Sequence, residues 1–539
     1  MVSFPPWGLW PLMWFALVPW FFVLHRASHL KHAVVQGVWL SVFMSLGSFF
    51  WVAFVLHEFG NLPWVVSFLG LVLFSFVGQP QFFLFALVQR MRLFPLGPHK
   101  SQNFSAVRLI ILSTVAALLY TGLDWLSPKI FMDTLGHALY RAQCLRQVAE
   151  WGGAWVLTFL IYFVNEAIYG FVREWALQKG QFPWKTVRRW LPQVGMAIVF
   201  SLSFWIYGLV RQEQIQRLMR FAPQRVQVAA VQANIGDFEK VAAEKGVSGA
   251  AEQVLGAYGD LSRAALQLNP RPQVIVWPET SYPTTFGKPH SRTELLLEKQ
   301  VMDLVKTLQI PLLFGGYDTV GGKDFNAFFF LTPDQKLQAY HKSVLLIFGE
   351  FIPGAESFEW IRNAFPQVGN FGRGRGPEVV DVPYLDALQQ SQVLRFGPII
   401  CYEALFSNFV IESARRGSQA IFNITNDGWF GVWGEPQLHL ALSTFRSVET
   451  RLPFFRSTNT GISALILPDG TIQDTSEIGE QAILNVSIPL TPPIPTLLKL
   501  WGDWFGGFAL ILGGLGVCGL HLSSTSFKRR TSWTSAEQS

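Results

Sequence analysis

Uncharged apolar runs recur along the first 210 residues, at 1–24, 33–56, 59–89, 109–123, 151–165 and 191–210, and once more at 504–522. About 20 consecutive apolar residues cross the hydrocarbon core of a bilayer. Most of these runs reach that length; 109–123 and 151–165 are short and need a flanking polar residue near the interface. The pattern predicts seven spanning helices, with buried core helices as the alternative for the short two. Between 226 and 470 the period changes. Short β-rich runs at 226–235, 272–280, 310–318, 326–333, 394–403, 418–427 and 461–470 read as strands, bounded by Gly, Pro and polar residues. Helical stretches at 247–268, 291–308 and 435–452 fall between them, and this alternation predicts an α/β layered domain with largely buried strands.

Composition supports two different kinds of unit. At 539 residues the chain exceeds one ordinary domain, and its 14% charged residues are about half the share usual for soluble domains. Loop charge orients the helices. Arg26 and Lys31 follow the first span, Arg90, Arg92 and Lys100 the third, Arg173, Lys179, Lys185, Arg188 and Arg189 the fifth, and Lys528, Arg529 and Arg530 the last. Alternate loops lack Lys and Arg, except that 124–150 carries Lys129, Arg141 and Arg146. The N-terminus is therefore expected outside, the C-terminus inside, and the long segment 211–490 on the outer side of the membrane. No small-residue cleavage site follows the first run, so it reads as an uncleaved anchor. The expected organisation is a transmembrane bundle at 1–210, a soluble domain at 211–490, a last transmembrane helix at 491–525 and a cytoplasmic tail at 526–539. The formal charge of +6 lies mostly in the inner loops; it fits anionic lipid headgroups and gives no argument for nucleic acid.

Three cysteines, Cys144, Cys401 and Cys518, are too few and too scattered for a disulfide framework or a zinc site. Cys518 reads as filler in the last span. An unpaired thiol is hazardous in an oxidising outer compartment, so Cys401 is either core filler or a group that is used. It ends the apolar run "FGPIIC", as Glu279 ends "VIVWPE", and reactive groups in layered α/β sheets gather where strands end. In "AYHKSVLLIFGEFIPG" Lys342 and Glu350 flank a third apolar run. A thiol is only a few per cent ionised at neutral pH and needs a base or a positive charge beside it. A glutamate can take its proton, and a lysine can stabilise the oxyanion formed at a carbonyl. By residue type alone such a set occurs in almost any domain, and the structural reading stays open.

The flanking residues narrow the choice. "VWPET" with Glu279, "YHKSVLLIFGEFIPG" with Lys342 and Glu350, "ICYEALF" with Cys401, and "NITNDGWFG" at 423–431 occur in the order of the nitrilase superfamily. Together with the flanking helices, "RLPFFRSTNTGISALILPDG" at 451–470 and "WGDW" at 501–504, they resemble the apolipoprotein N-acyltransferase family over nearly the whole chain. The resemblance implies a four-layer αββα nitrilase domain facing the periplasm, set on a multi-pass helical bundle in the bacterial inner membrane. It implies transfer of an acyl chain from a phospholipid such as phosphatidylethanolamine to the α-amino group of a diacylglyceryl cysteine on an apolipoprotein. On matching positions, Glu279 is the general base, Lys342 stabilises the tetrahedral intermediate and Cys401 is the nucleophile. Glu350 supports this triad, and Tyr402 and Glu403 shape the site. Trp429 and Phe430 are candidate substrate contacts, as a lip over the acyl chain or as packing. A membrane-bound site fits lipid substrates, because exposing an acyl chain to water costs about 0.8 kcal/mol per CH2.

No metal, nucleotide or other cofactor is expected, since no HExxH or P-loop motif is present, and the enzyme is expected to act as a monomer. Arg456 is expected to brace the site on a carboxylate, Glu166 to reach the membrane interface, and the sequon at Asn423 to be chance. Members of the family the chain resembles usually open with a further helix before the segment like "FPPWGLWPL", so seven spans are expected, or eight with a late start. A membrane-tethered amidase using water as acceptor, an inactive lipid or lipoprotein scaffold, and a transporter are the competing readings.

Overall fold

The computed structural model describes residues 2–27, 29–89, 105–177, 184–244, 246–247, 249–354, 358–364 and 369–536. They fall into two compact units, 1–210 with 503–539, and 211–502. The basic stretches at 90–104 and 178–183 lie outside the described residues.

Among the described residues four helices are long and apolar enough to cross a membrane: Ala106–Leu126, Ala154–Arg173 and Trp504–Leu522 in the first unit, and Arg188–Arg220, which begins in it and continues past its boundary at 210. Two bent pairs pass the same test together, Leu30–Ser48 with Trp51–Glu58 at 70° and Trp64–Gly78 with Gln81–Val88 at 53°. By length and composition the described residues thus hold four such helices, or six spans if each bent pair counts as one, beside the seven expected. The first run, 1–24, is not one helix: a short 3-10 turn at Trp10–Trp14 precedes the helix Val18–Arg26. Pro5, Pro6, Pro11 and Pro19 interrupt it, each removing a backbone donor. Backbone groups freed by this break find a partner in Asn165, which accepts from Leu17 N at 2.8 Å and donates to Met13 O at 2.9 Å. Burial among apolar groups demands such pairing. Pro80 sits in the second bend, where Gln79 O accepts from Ser41 Oγ at 2.6 Å.

The two runs that seemed short extend into full helices because their polar ends are satisfied inside the unit. Asp124 near the end of Ala106–Leu126 is ion-paired to Lys129, both buried. Lys129 and the buried Arg146, which donates to Tyr140 O, are therefore internal groups, and this accounts for two of the three cations that broke the loop pattern. Glu166 also departs from expectation. Only 3% exposed, it lies within the unit instead of reaching the interface. Small residues bring helices together: a Cβ on Gly122 would run into the Leu510 backbone, and one on Gly513 would lie 2.7 Å from Leu119 N.

The described residues of the second unit form twelve strands: β1 Gln224–Gln232, β2 Val274–Val276, β3 Leu312–Val320, β4 Lys323–Leu331, β5 Leu337–His341, β6 Val380–Leu385, β7 Ser391–Ile400, β8 Ala420–Thr425, β9 Phe454–Thr458, β10 Ala464–Ile466, β11 Ile472–Thr475 and β12 Ala482–Leu490. They form two six-stranded sheets, ordered β12-β1-β2-β3-β4-β5 and β11-β10-β9-β8-β7-β6. Strands β1, β2 and β3 run parallel, as do β7, β8 and β9; the outer pairings are antiparallel.

Period-two alternation assigns each strand's faces. Ile275, Leu312, Phe314, Ala327 and Phe329 join the core under the helices Ala250–Ala265 and Arg292–Leu308. Their alternates Phe328 and Phe330 face the other way, onto Phe396 of β7 at 6.4 and 5.5 Å. Phe396, Phe422 and Phe455 continue this aromatic row between the sheets. The second sheet's outer face carries Ile399, Ile421 and Phe454 against Val410 and Leu440 of the helices Ser407–Arg415 and Glu435–Thr450. Each large side chain taken out of water stabilises by about 1.5–3 kcal/mol. The result is the four-layer αββα sandwich of a nitrilase-type domain.

Candidate active site

The carboxyl ends of strands from both sheets supply the key side chains. Glu279 lies just beyond β2, which is shorter than the predicted 272–280 because Pro278 cannot donate to a ladder. The chain nevertheless keeps beside β3, through Trp277 N to Leu313 O at 2.8 Å and Gly315 N to Pro278 O at 3.1 Å. Such close approach requires Gly315: a Cβ there would sit 2.6 Å from the Glu279 Cα. Lys342 follows β5, with its N–H on Asn326 O at 2.9 Å.

Glu279, Lys342 and Glu350 meet in one buried ion-paired group. Lys342 Nζ donates to Glu279 Oε1 at 3.1 Å and to Glu350 Oε1 at 2.8 Å. Asn326 Nδ2 bridges the same two carboxylates at 2.8 and 3.0 Å, and Leu346 N holds the second Glu350 oxygen at 2.8 Å. Glu279 Oε2 accepts from Asn426 N at 2.9 Å. Burial alone would lower the Lys342 pKa, yet the charges of Glu279 and Glu350, with the facing Cys401, hold it well above 10.5. Lys342 is a fixed ammonium.

Cys401 opens a 3-10 turn, Cys401–Leu405, directly after β7. Its φ of 48° is left-handed, a conformation that costs a non-glycine residue roughly 1–3 kcal/mol and persists only where surroundings impose it. Glu403 imposes it. Its Oε2 accepts from Ile400 N at 2.8 Å; its Oε1 accepts from Tyr340 OH at 2.7 Å, Ser343 N at 2.6 Å and Val344 N at 3.1 Å. One fully buried carboxyl therefore ties the residue before Cys401 to the residues after Lys342. Burial pushes Glu403 up to about 7 against these donors. The thiol, 8% exposed, is held well above its usual range by burial and then by the Glu279 charge, with Lys342 opposing. It rests protonated.

The remaining expected residues divide. Tyr402 is buried against Phe406, ring centroids 5.0 Å apart. Trp429 and Phe430 lie in a short turn, Asp427–Phe430, with Phe430 buried and Trp429 half-buried. Arg456 braces a carboxylate: its Nη2 donates to Asp427 Oδ2 at 2.5 Å, and its Nη1 donates to Asn423 Oδ1 at 3.2 Å. Asn423 is fully buried, so its sequon is closed to modification in the folded chain.

Reasoning from sequence missed Asn326, Asn426, Asp427, Glu435 and His439. Asn326 was visible as a lone polar residue opening the apolar stretch "NAFFFL". Glu435 and His439 stand four apart on the helix Glu435–Thr450, hence on one face. Single ligand atoms of Asp427, Glu435 and His439 lie within 4.8 Å of one another, a spacing that could hold a metal ion. The Arg456 guanidinium already occupies the cation's place among them.

Known proteins match both units. Two family profiles fit the chain: the apolipoprotein N-acyltransferase N-terminal domain over residues 1–167 and carbon-nitrogen hydrolase over residues 227–491. An apolipoprotein N-acyltransferase from Bdellovibrio bacteriovorus is 33% identical, covering 93% of this chain and 88% of that protein. One from Geobacter metallireducens is 27% identical over 98% and 94%. The solved structure of Saccharomyces cerevisiae Nit3, of the nitrilase superfamily, superposes with a TM-score of 0.36 at 18% identity, covering 50% of this chain and 91% of that one.

Proposed function

Because the chain belongs to the apolipoprotein N-acyltransferase family, we propose that this acyltransferase moves a fatty acyl chain from a phospholipid such as phosphatidylethanolamine to the α-amino group of a diacylglyceryl cysteine on an apolipoprotein, through a thioester on Cys401. The observation that carries this reading is the buried group of Glu279 and Lys342 beside a neutral thiol, with a charged acceptor and a charged donor already in place and no histidine.

In the first half, a Glu279 oxygen takes the Cys401 proton as Sγ attacks the ester carbonyl. Lys342 Nζ stabilises the oxyanion, and because its charge is preorganised in a dry site no reorganisation is needed. The ester C–O bond breaks, and the departing lysophospholipid oxygen takes the proton back from Glu279. In the second half the lipoprotein amine attacks the thioester carbonyl, its proton passes to Glu279, and the C–S bond breaks to return a protonated thiol. The substrates visit one site in turn, which predicts ping-pong kinetics. Glu350, Tyr402 and Glu403 are positioning residues in this scheme, while Trp429 and Phe430 lie where a turn could cover the acyl chain. We place the second unit on the periplasmic side of the inner membrane and take the enzyme to act alone, with no metal or nucleotide.

The test is direct. Full-length protein in mild detergent, given phospholipid and no lipoprotein, should carry a fatty-acyl adduct on the Cys401 peptide that hydroxylamine removes, read by mass spectrometry. Bound lipid with a reduced thiol and no adduct would sink the proposal and favour an amidase or a silent relative. A second expectation concerns Gly315. Gly315→Ala should push Glu279 away from the thiol, and a displacement near 1 Å costs roughly a hundredfold in rate. Steady-state assays should show the loss in kcat, with KM nearly unchanged.

A further inference from the structure

Four ionisable side chains behind the thiol have no part in that scheme. Asp427, Glu435, His439 and Arg456 are each at most 4% exposed. Asp427 Oδ2 accepts from Arg456, while Oδ1 accepts from Thr425 Oγ1 at 3.1 Å and lies 3.3 Å from His439 Nδ1. Glu435 Oε1 lies 3.4 Å from the same Nδ1. Among the described residues, Glu435 Oε2 and His439 Nε2 are buried atoms with no hydrogen-bond partner. Native interiors rarely leave such atoms unpaired, and the exceptions concentrate where function keeps them. Arg456 alone would neutralise Asp427, so a bracing role does not require Glu435 or His439.

Their position gives them leverage. Asp427 is preceded by Asn426, whose N–H holds Glu279 Oε2, and its own charge adds to burial and Glu279 in raising the Cys401 pKa. A shift of the Asp427 carboxylate is passed to Glu279 through Asn426 and reaches the thiol through its charge. Gly431 and Gly434, at φ 77° and 94°, join this turn to the helix that carries the pair. A Cβ on Gly461 would meet the Asp427 carboxylate from the opposite side, so the carboxylate is confined there too.

We propose that Glu435 and His439 are a positioning pair: they share a proton and, through Asp427, adjust how Asn426 holds Glu279 and how strongly the Asp427 charge opposes the thiolate, so that protonation of the pair tunes the reactivity of the thiol. This deepens the function proposed above, yet the thiol's reactivity can be read without any lipid. The charged groups facing the pair are Asp427 from the turn after β8 and Arg456 from β9, besides the two members themselves on one helix. Burial and then the Asp427 charge push Glu435 up to about 7. Burial and Arg456 press His439 down, but Asp427 and Glu435 outweigh them and raise it above 6.5. The sign follows. Below about 7 the pair carries the extra proton, the cluster is less negative and the thiolate forms more readily; as pH rises through 7 that help is withdrawn.

Alkylation of Cys401 by iodoacetamide, measured on the full chain in detergent from pH 5 to 10 by mass of its peptide, tests this. The wild-type rate profile should show a step near 7 besides the titration of the thiol itself. Glu435→Gln, which fixes a neutral side chain of the same shape, should erase that step and lower the remaining midpoint by roughly half a unit. His439→Gln should erase it too, which keeps the test valid if one variant melts early. In lipid turnover above pH 7 Glu435→Gln should keep the help that the wild type loses there, raising kcat relative to the wild type with KM unchanged. A wild-type profile with one step, or a step that survives in both variants, overturns the pair. A step present in a wild type that never forms the thioester would overturn the function and leave the pair standing.

Discussion

Cys401→Ala is expected to lose acyl transfer by a factor of at least about a thousand and to carry no acyl adduct at all. The scheme has no substitute nucleophile: Glu279 and Lys342 are locked on each other and on Glu350. Removing the member that forms the covalent intermediate disables the others with it, since such residues act as a unit. The fold should tolerate the change. Alanine pays the same left-handed backbone cost as cysteine at φ 48°, and Glu403 makes its four hydrogen bonds to other residues. Stability should therefore stay within about 1 kcal/mol of the wild type. Incubation with labelled phospholipid and apolipoprotein, followed by mass spectrometry of both, reads the result. Transfer by the variant at more than about a hundredth of the normal rate would exclude a thioester mechanism.

Lys342→Met should damage both chemistry and fold. Its ammonium is 2% exposed between two carboxylates, at 3.1 and 2.8 Å. Without it Glu279 and Glu350 face each other across Asn326 with no cation, and breaking a buried pair in this way costs about 3–5 kcal/mol. Activity should fall by roughly two to three orders of magnitude, as expected for loss of an oxyanion donor. The stability deficit should depend on pH in a stated direction. Two carboxylates deprived of their cation have raised folded pKa values, so their contribution is present below the unfolded value of about 4.3 and is lost as pH rises through the raised one. Thermal melts at pH 5 and pH 8 should show the larger deficit at pH 8. Adding Glu350→Gln, which removes one of the stranded charges, should recover part of the melting temperature and none of the activity; equal deficits at both pH values would mean that Lys342 does not hold these charges.

Much of the second unit was legible in the sequence because its strands are buried on both faces. Runs such as "FGPII" and "AIFNIT" announce such strands by composition alone, and the ends of those runs marked Glu279 and Cys401. Strands β5, β6, β9, β11 and β12 were not predicted. Several are edge or partly exposed strands whose polar alternation in "LQAYH" or "IQDT" looks like loop. The first unit was harder. Counting uncharged residues overstated 1–24, where prolines break the helix, and understated 106–126, where Asp124 had seemed to end a span that Lys129 in fact lets it join.

By itself, then, the sequence determined the division into apolar helices and a layered α/β domain, and it marked which glutamate, lysine and cysteine to examine, because periodicity and local motifs are properties of neighbours along the chain. Only the tertiary structure decided that Glu403 ties Lys342 to Cys401, that Asn426 holds Glu279, and that Glu435 and His439 sit behind Asp427. Those contacts join residues from different strands and helices, many of them far apart in sequence. Hydrogen bonds and buried charges have energies set by distance and exclusion of water, which the order of residues does not record until the sheets have packed.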